Sequence, residues 1–197
     1  MLTFVCATAN LHKALELEEI LRGLGSFTLL PRPADLASIE EDGLTFEDNA
    51  ILKASAVCSA TNRASIADDS GLEVDALSGQ PGVFSARYAG EGASDAENRQ
   101  KLLLELKGVT HRSARFVAAV AVAFPDGVIL VVEGAVEGSI AEADSGEGGF
   151  GYDSLFIPSE GDGRTFAAMS AQEKNELSHR GRALASMVEA LAHAGRR

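Results

Sequence analysis

The sequence predicts an α/β fold built on a mixed β-sheet, and three observations predict it. Apolar runs of strand length alternate with segments whose apolar residues recur at helical spacing. Two long Val/Ala/Ile-rich runs are separated by a Pro-Asp-Gly turn, which marks an antiparallel hairpin within an otherwise interleaved order. Capping residues stand at fixed offsets before several helical patterns. With 46% hydrophobic residues in 197 positions the chain can bury a substantial core. No Ser/Pro-rich or charge-blocked stretch marks a linker, and no repeat appears, so residues 1–197 read as one domain.

In chain order, Leu2-Thr3-Phe4-Val5-Cys6-Ala7 is a buried strand. Leu11 to Leu24 follow as a helix, with Leu15, Ile20, Leu21 and Leu24 at helical spacing and Gly25 as the stop. Thr45 opens a second helix, with Asp48 at the capping-box offset, apolar positions Ile51, Leu52, Ala54 and Val57, and Lys53 within it. Ser65-Ile66-Ala67 reads as a short strand that sets Asp68-Asp69-Ser70-Gly71 at its end. Ser94 and Glu97 cap a third helix containing Leu102, Leu103, Leu104 and Leu106. Phe116 to Phe124 and Val128 to Ile140 are long strands joined through Pro125-Asp126-Gly127, and Leu155 to Pro158 is a further strand. Ser170 and Glu173 open a final helix that carries Leu184, Met187, Val188 and Leu191, contains Ser178-His179-Arg180, and ends at Gly195. Helices interleaved with strands, together with a hairpin, call for a mixed rather than an all-parallel sheet.

A formal net charge of −12 argues against binding to nucleic-acid backbones or anionic membranes, which require clustered Lys and Arg. An anionic substrate would need a local site made by a few lysines and a divalent cation. Cys6 and Cys58 cannot build a disulfide framework, so a reducing compartment is expected. The N-terminal residues do not form a secretory signal, and no apolar run approaches membrane-spanning length; both point to the cytoplasm.

Three constellations carry chemistry. Thr8-Ala9-Asn10-Leu11-His12-Lys13 lies where a strand passes to a helix, so helix N–H groups, hydroxyl and amide groups and Lys13 can converge on phosphate. The ordinary alternative is that Thr8 and Asn10 only cap the helix while Lys13 is solvated. The acidic run Glu40-Glu41-Asp42, and Asp68 with Asp69, offer hard oxygen ligands suited to magnesium, which takes one or two carboxylates plus substrate phosphates and water; solvated turns are the alternative. Lys174, His179 and Arg180 form a donor-rich ledge or a surface patch. The chain lacks a Walker-type loop, and its G-x-G-x-x-G at 146–151 precedes a strand rather than the helix a dinucleotide site requires. A Ser/His/Asp triad has no nucleophile elbow to support it.

The ordered segments TANLHK at 8–13, GLTFEDNAILKA at 43–54, ADDSGLEVDAL at 67–77, PGVFSARYAG at 81–90, GGFGYD at 148–153 and SHRGRAL at 178–184 span nearly the whole chain. Together they resemble the inosine triphosphate pyrophosphatase family, the Ham1-like or RdgB-like enzymes. The resemblance implies an elongated mixed sheet flanked by helices in two lobes, a cleft between the lobes, a homodimer, magnesium as cofactor, and hydrolysis of ITP, dITP and XTP between the α and β phosphates. By matching position it also implies phosphate contacts at Thr8, Asn10, Lys13 and Lys53, with Ala9, Leu11 and His12 in the same loop. Glu41, Asp69 and Asp68 match the metal site, Asp69 the acceptor of the proton of attacking water, and Ser70 a substrate contact. Phe150, Gly151, Tyr152 and Asp153 match the nucleoside-binding stretch, with Phe150 stacked on the base and Lys174, His179 and Arg180 reading it. Donors aimed at a purine 6-oxo group would reject adenine, whose 6-amino group leaves them unpaired. Two departures stand out: Ala9 replaces a common Gly, which would strain the loop if φ were positive there, and Ser154 replaces a frequent Pro. A Maf-like pyrophosphatase for modified pyrimidine nucleotides and a nucleotide-binding module without turnover are the competing classes.

Overall fold

The computed structural model of the protein describes residues 2–25 and 27–196. It contains strands β1 (Leu2–Cys6), β2 (Phe27–Leu30), β3 (Ser65–Val74), β4 (Ser113–Ala123), β5 (Ile129–Ile140) and β6 (Phe156–Pro158). The helices are α1 (Leu11–Leu24), α2 (Phe46–Thr61), α3 (Asp95–Glu105), α4 (Ala171–Leu177) and α5 (His179–His193). The sheet order is β2-β1-β3-β4-β5-β6. β1 pairs in parallel with β2 and β3, whereas β5 and β6 are antiparallel, so the sheet is mixed as expected. The Gly127 N–H donates to the Phe124 carbonyl at 3.0 Å and closes the turn between β4 and β5.

The chain forms two compact units. The first comprises the residues up to Asp69, Ala118–Gly134 and those from Arg180 on; the second comprises Ser70–Val117 and Ala135–His179. In the first unit, Phe4, Cys6, Ile66, Ala118, Val120 and Val122 share one core with Leu17, Ile20 and Leu21 of α1 and Leu184, Met187 and Leu191 of α5. Strand alternation turns Val5, Ala7, Ala67, Ala119 and Ala121 to the other face. The β1–α1–β2 and β2–α2–β3 crossovers run in opposite directions along the sheet, so right-handedness places α1 and α2 on opposite faces. Ala50 and Ala54 are buried on α2, which packs against β1. In the second unit a separate core gathers Leu72, Leu102, Leu106, Phe116, Tyr152, Leu155, Phe156 and Phe166. Each such large apolar side chain contributes roughly 1.5–3 kcal/mol on full burial.

Several sequence expectations hold to the residue and others are corrected. α1 has the expected bounds, but Leu15 and Leu24 are exposed and Leu17 takes the inner face. Thr45 caps α2 by accepting from the Asp48 N–H, without the reciprocal half of a capping box. Asp68 and Asp69 lie within a ten-residue strand rather than at the end of a short one. The parallel partner β1 nevertheless pairs only as far as Ile66, so both carboxylates sit beyond the carboxyl end of the β1–β3 pair. The expected final helix is two helices. Ser178 adopts extended backbone (φ −71°, ψ 156°), closing α4 and standing just before α5, a position that favours a hydroxyl residue. The strand β2 was not expected: Phe27-Thr28-Leu29-Leu30 is too short for a periodic signal.

Candidate active site

The chain leaves β1 for β2 on one side and returns to β3 on the other. The carboxyl ends of β1 and β3 are therefore a topological switch point, where α/β sheets bind ligands. Thr8 follows β1, and Asp68 and Asp69 follow the last β1–β3 pair. Asn10 caps α1, its Oδ1 accepting from the Lys13 N–H at 3.2 Å, and Thr8 Oγ1 accepts from the Asn10 N–H at 3.2 Å. Ala9, Leu11 and His12 are exposed. Among the described residues Asn62 and Ser78 are the non-glycine positions with positive φ, so Ala9 fits the loop without left-handed strain.

Lys13 is not simply solvated. Its Nζ lies 3.7 Å from Asp68 Oδ2 and 3.8 Å from Asp69 Oδ1, within ion-pair range but too long for hydrogen bonds. Lys53, buried on α2, places Nζ 3.1 Å from Asp69 Oδ1 and 3.2 Å from Glu41 Oε2. Burial disfavours its charge, but the carboxylates of Asp69, Asp68 and Glu41 outweigh burial and raise its pKa. Lys53 therefore remains an ammonium at neutral pH.

Asp68 is fully buried and held on the other side by Arg180, whose Nε and Nη2 donate to Asp68 Oδ2 at 3.0 and 2.9 Å. Nη1 of the same guanidinium pairs with Glu16. Burial alone would push Asp68 up; Lys13, Arg180 and Lys53 together overcome it and hold the carboxyl well below the usual range. Arg180 thus stands with the carboxylates of the first unit, its guanidinium taken by Asp68 and Glu16.

Two residues that sequence reasoning missed complete this network. Asn49 donates through Nδ2 to Asp69 Oδ2 at 3.2 Å and accepts from the Gly43 N–H at 2.9 Å, tying the loop that carries Glu41 to the β3 carboxylate. A Cβ on Gly43 would meet Asn49 Oδ1 at 2.6 Å, so glycine is required at this approach. Asn49 lies one helical turn before Lys53, and Glu16 one turn after Lys13; those same-face spacings were the available signal.

The donor set suits a hard divalent cation. Glu16, Glu41, Asp68 and Asp69 face Lys13, Lys53 and Arg180, leaving one excess negative charge in a largely buried cluster. Among the described residues no three His, Cys, Asp or Glu side chains form a ready metal cage. A hard ion can bind through one or two protein carboxylates, such as Glu41 and Asp69, and complete its shell with phosphate oxygens and water.

The second unit holds the other predicted group. Lys174, buried on α4, donates to Asp153 Oδ2 at 2.6 Å, and its Nζ lies 4.9 Å from the Phe150 ring centroid. The Phe150 N–H donates to the same Asp153 oxygen at 2.9 Å. Gly149, at φ +70°, has no room for a side chain, since a Cβ would lie 2.1 Å from Asp153 Oδ2. Tyr152 is buried, and its hydroxyl donates to the Ser85 carbonyl at 2.9 Å. His179 stacks on Phe116, with centroids 4.7 Å apart and planes 11° from parallel. Ser70 is half-buried on β3. Phe150, Asp153 and Lys174 are thus brought together, with Tyr152 serving as an anchor beneath them.

A model of the Ham1 family matches residues 4–190. The chain belongs to the Ham1 family. It is 48% identical over 190 residues to a protein of Bacillus subtilis named dITP/XTP pyrophosphatase, covering 95% of this chain and 96% of that one. A Thermus thermophilus protein of the same name is 50% identical over 188 residues, covering 94% and 90% of the two chains. Among solved structures, a HAM1 protein from Coxiella burnetii superposes with a TM-score of 0.87 at 41% identity, over 98% of this chain and all of that one (100%). The family and the mixed α/β fold with a helix-flanked sheet expected from the sequence therefore stand, and the sheet proves to have six strands. Among the described residues no helix is long and apolar enough to cross a membrane.

Proposed function

We propose that this chain hydrolyses noncanonical purine nucleoside triphosphates, ITP, dITP and XTP, to the monophosphate and pyrophosphate, which clears deaminated purines from nucleotide pools. The observation that carries the reading is the network at the β1/β3 switch point, where Lys13 and Lys53 converge on Asp69 from two helices on opposite faces of the sheet. The similarity to the Bacillus subtilis and Thermus thermophilus proteins named dITP/XTP pyrophosphatase supports the substrate class.

In this mechanism a water oxygen attacks the α-phosphorus in line with the oxygen that bridges to the β-phosphorus. The bond to that bridging oxygen breaks, its electron pair leaves with pyrophosphate, and the water proton passes to the Asp69 carboxylate. Asn49 and Lys53 fix the two oxygens of Asp69, so the acceptor is aimed before substrate arrives. Lys13 and Lys53 stabilise negative charge on the phosphates in a site largely closed to water. Glu41 and Asp69 would hold magnesium, which when bound supplies Lewis-acid neutralisation of phosphate oxygens. Arg180 acts through Asp68, holding that carboxylate ionised and in place.

Base recognition belongs to the second unit. Phe150 provides a stacking face, and Lys174 and His179 provide donors for a 6-oxo group. Adenine would leave such donors unpaired at roughly 1–3 kcal/mol each. The same reading makes the enzyme a cytoplasmic homodimer, which light scattering of the purified protein checks through a mass near twice 20.5 kDa.

The test is pyrophosphate release with magnesium from ITP, XTP, ATP and GTP side by side. Strong release from ITP and XTP with little from ATP is expected. Tight binding without release would replace the reading with a binding module, and preference for modified pyrimidine nucleotides would replace it with a Maf-like activity.

A further inference from the structure

Each of the four consecutive residues 150–153 is tied down by a different partner. Phe150 donates its N–H to Asp153, Tyr152 reaches the Ser85 carbonyl, and Asp153 accepts from Lys174. Gly151 is gripped on both peptide groups by the start of α3. Its N–H donates to Asp95 Oδ2 at 2.6 Å, and its carbonyl accepts from Arg99 Nη1 at 2.9 Å. Arg99 Nε in turn lies 2.7 Å from Asp144 Oδ1, the atom that also accepts from the Ser154 hydroxyl.

The role of Asp95 is not capping. Ser94 and Glu97 form a complete capping box on α3, with the Glu97 carboxylate taking both the N–H and the hydroxyl of Ser94. Asp95 and Arg99 are four residues apart and so share one helix face. Gly151 itself sits at φ +60°, and a Cβ there would meet nothing, so glycine provides a backbone shape rather than a close approach. That shape presents its N–H and its carbonyl to the acid and the guanidinium.

We propose that Asp95 and Arg99 are positioning residues for base recognition. They clamp Gly151 and thereby fix the Phe150 ring and the Asp153 carboxylate that aligns Lys174. The inference rests on the reading that residues 150–153 hold the nucleobase. It adds a specificity-determining pair on α3 that does not itself touch substrate. Unlike the anchors at Tyr152 and Asp153, the clamp reaches the surface, so it can be removed without opening the core.

Two measurements test it on Asp95→Ala, Asp95→Asn and Arg99→Met. The first is steady-state kinetics with ITP. Asp95→Ala and Arg99→Met are expected to raise KM about fivefold, the scale of one lost hydrogen bond, with kcat within about twofold of wild type. Asp95→Asn keeps an acceptor for the Gly151 N–H and is expected to restore KM. A merely structural role would lower the melting temperature without separating KM from kcat, and that result overturns the proposal. The second measurement is amide hydrogen exchange, which needs no turnover. Exchange at Phe150 and Gly151 is expected to accelerate in Asp95→Ala and Arg99→Met while the α3 interior stays protected; unchanged exchange overturns the clamp. If wild-type protein releases no pyrophosphate from any nucleotide, the function reading fails while the exchange result still decides the clamp.

Discussion

The two units fix their polar residues by different balances of charge and hydrogen bonding. In the first, charges fix charges: Lys13, Lys53 and Arg180 hold Asp68, Asp69, Glu41 and Glu16, so the groups that would act on phosphate restrain one another. In the second, one buried ion pair, Lys174 with Asp153, is joined by peptide and side-chain hydrogen bonds that hold a short loop over an aromatic core of Phe116, Phe156 and Phe166. The difference matches the two tasks of the proposed function. Phosphoryl chemistry needs preorganised charge in a low-dielectric site, whereas reading a neutral base needs a rigid face and a few well-aimed donors. Variants in the first unit should therefore change rate and stability, and variants in the second should change affinity and selectivity.

The largest break in that comparison should come from Asp69→Asn, which removes the proposed proton acceptor. Turnover of ITP is expected to fall by roughly 10²–10⁴-fold with circular dichroism unchanged. Activity near wild type would reassign the acceptor. Arg180→Ala leaves Asp68 buried without its guanidinium, a change that costs roughly 3–5 kcal/mol in comparable buried pairs. Urea denaturation should show that loss, with Arg180→Lys intermediate because an ammonium cannot supply the fork.

A smaller effect sharpens the electrostatic side. The folded-state pKa of Asp68 lies below its unfolded value, so its contribution to stability is complete above the usual aspartate value of about 3.9 and is lost as pH falls through the folded value. Stability of the wild type should therefore decline on acidification below about pH 4 more steeply than that of Asp68→Asn, which has no proton to take up. Parallel curves for the two proteins would remove Asp68 as the source.

Much of this architecture was legible in the sequence where the information is local. Asn10, Leu11–Leu24 and Gly25 carry cap, period and stop within sixteen residues, and the structure returns the same helix. The Pro125-Asp126-Gly127 turn and its flanking Val-rich runs gave the hairpin for the same reason. Asp-Asp-Ser-Gly, by contrast, reads as the end of a strand with a turn as the alternative, and in the structure it lies inside a buried strand whose carboxylates meet cations from α1, α2 and α5. Arg180 stands 112 residues from Asp68, and no spacing rule reaches that far. The break at Ser178 was hidden because apolar periodicity continues past it; what changes there is one backbone ψ. The site residues came from ordered motifs, but which residues pair with which emerged only from the fold, as Asn49 and Glu16 illustrate.

The most direct test of the division of labour is the kinetics of Phe150→Ala with ITP. Loss of an aromatic stacking face is worth roughly 1–3 kcal/mol per base. The predicted result is therefore a KM raised about tenfold or more, a kcat within about threefold of wild type, and weaker discrimination against ATP. A kcat that collapses while KM and the ITP/ATP ratio hold would contradict it and place Phe150 in the phosphate chemistry instead.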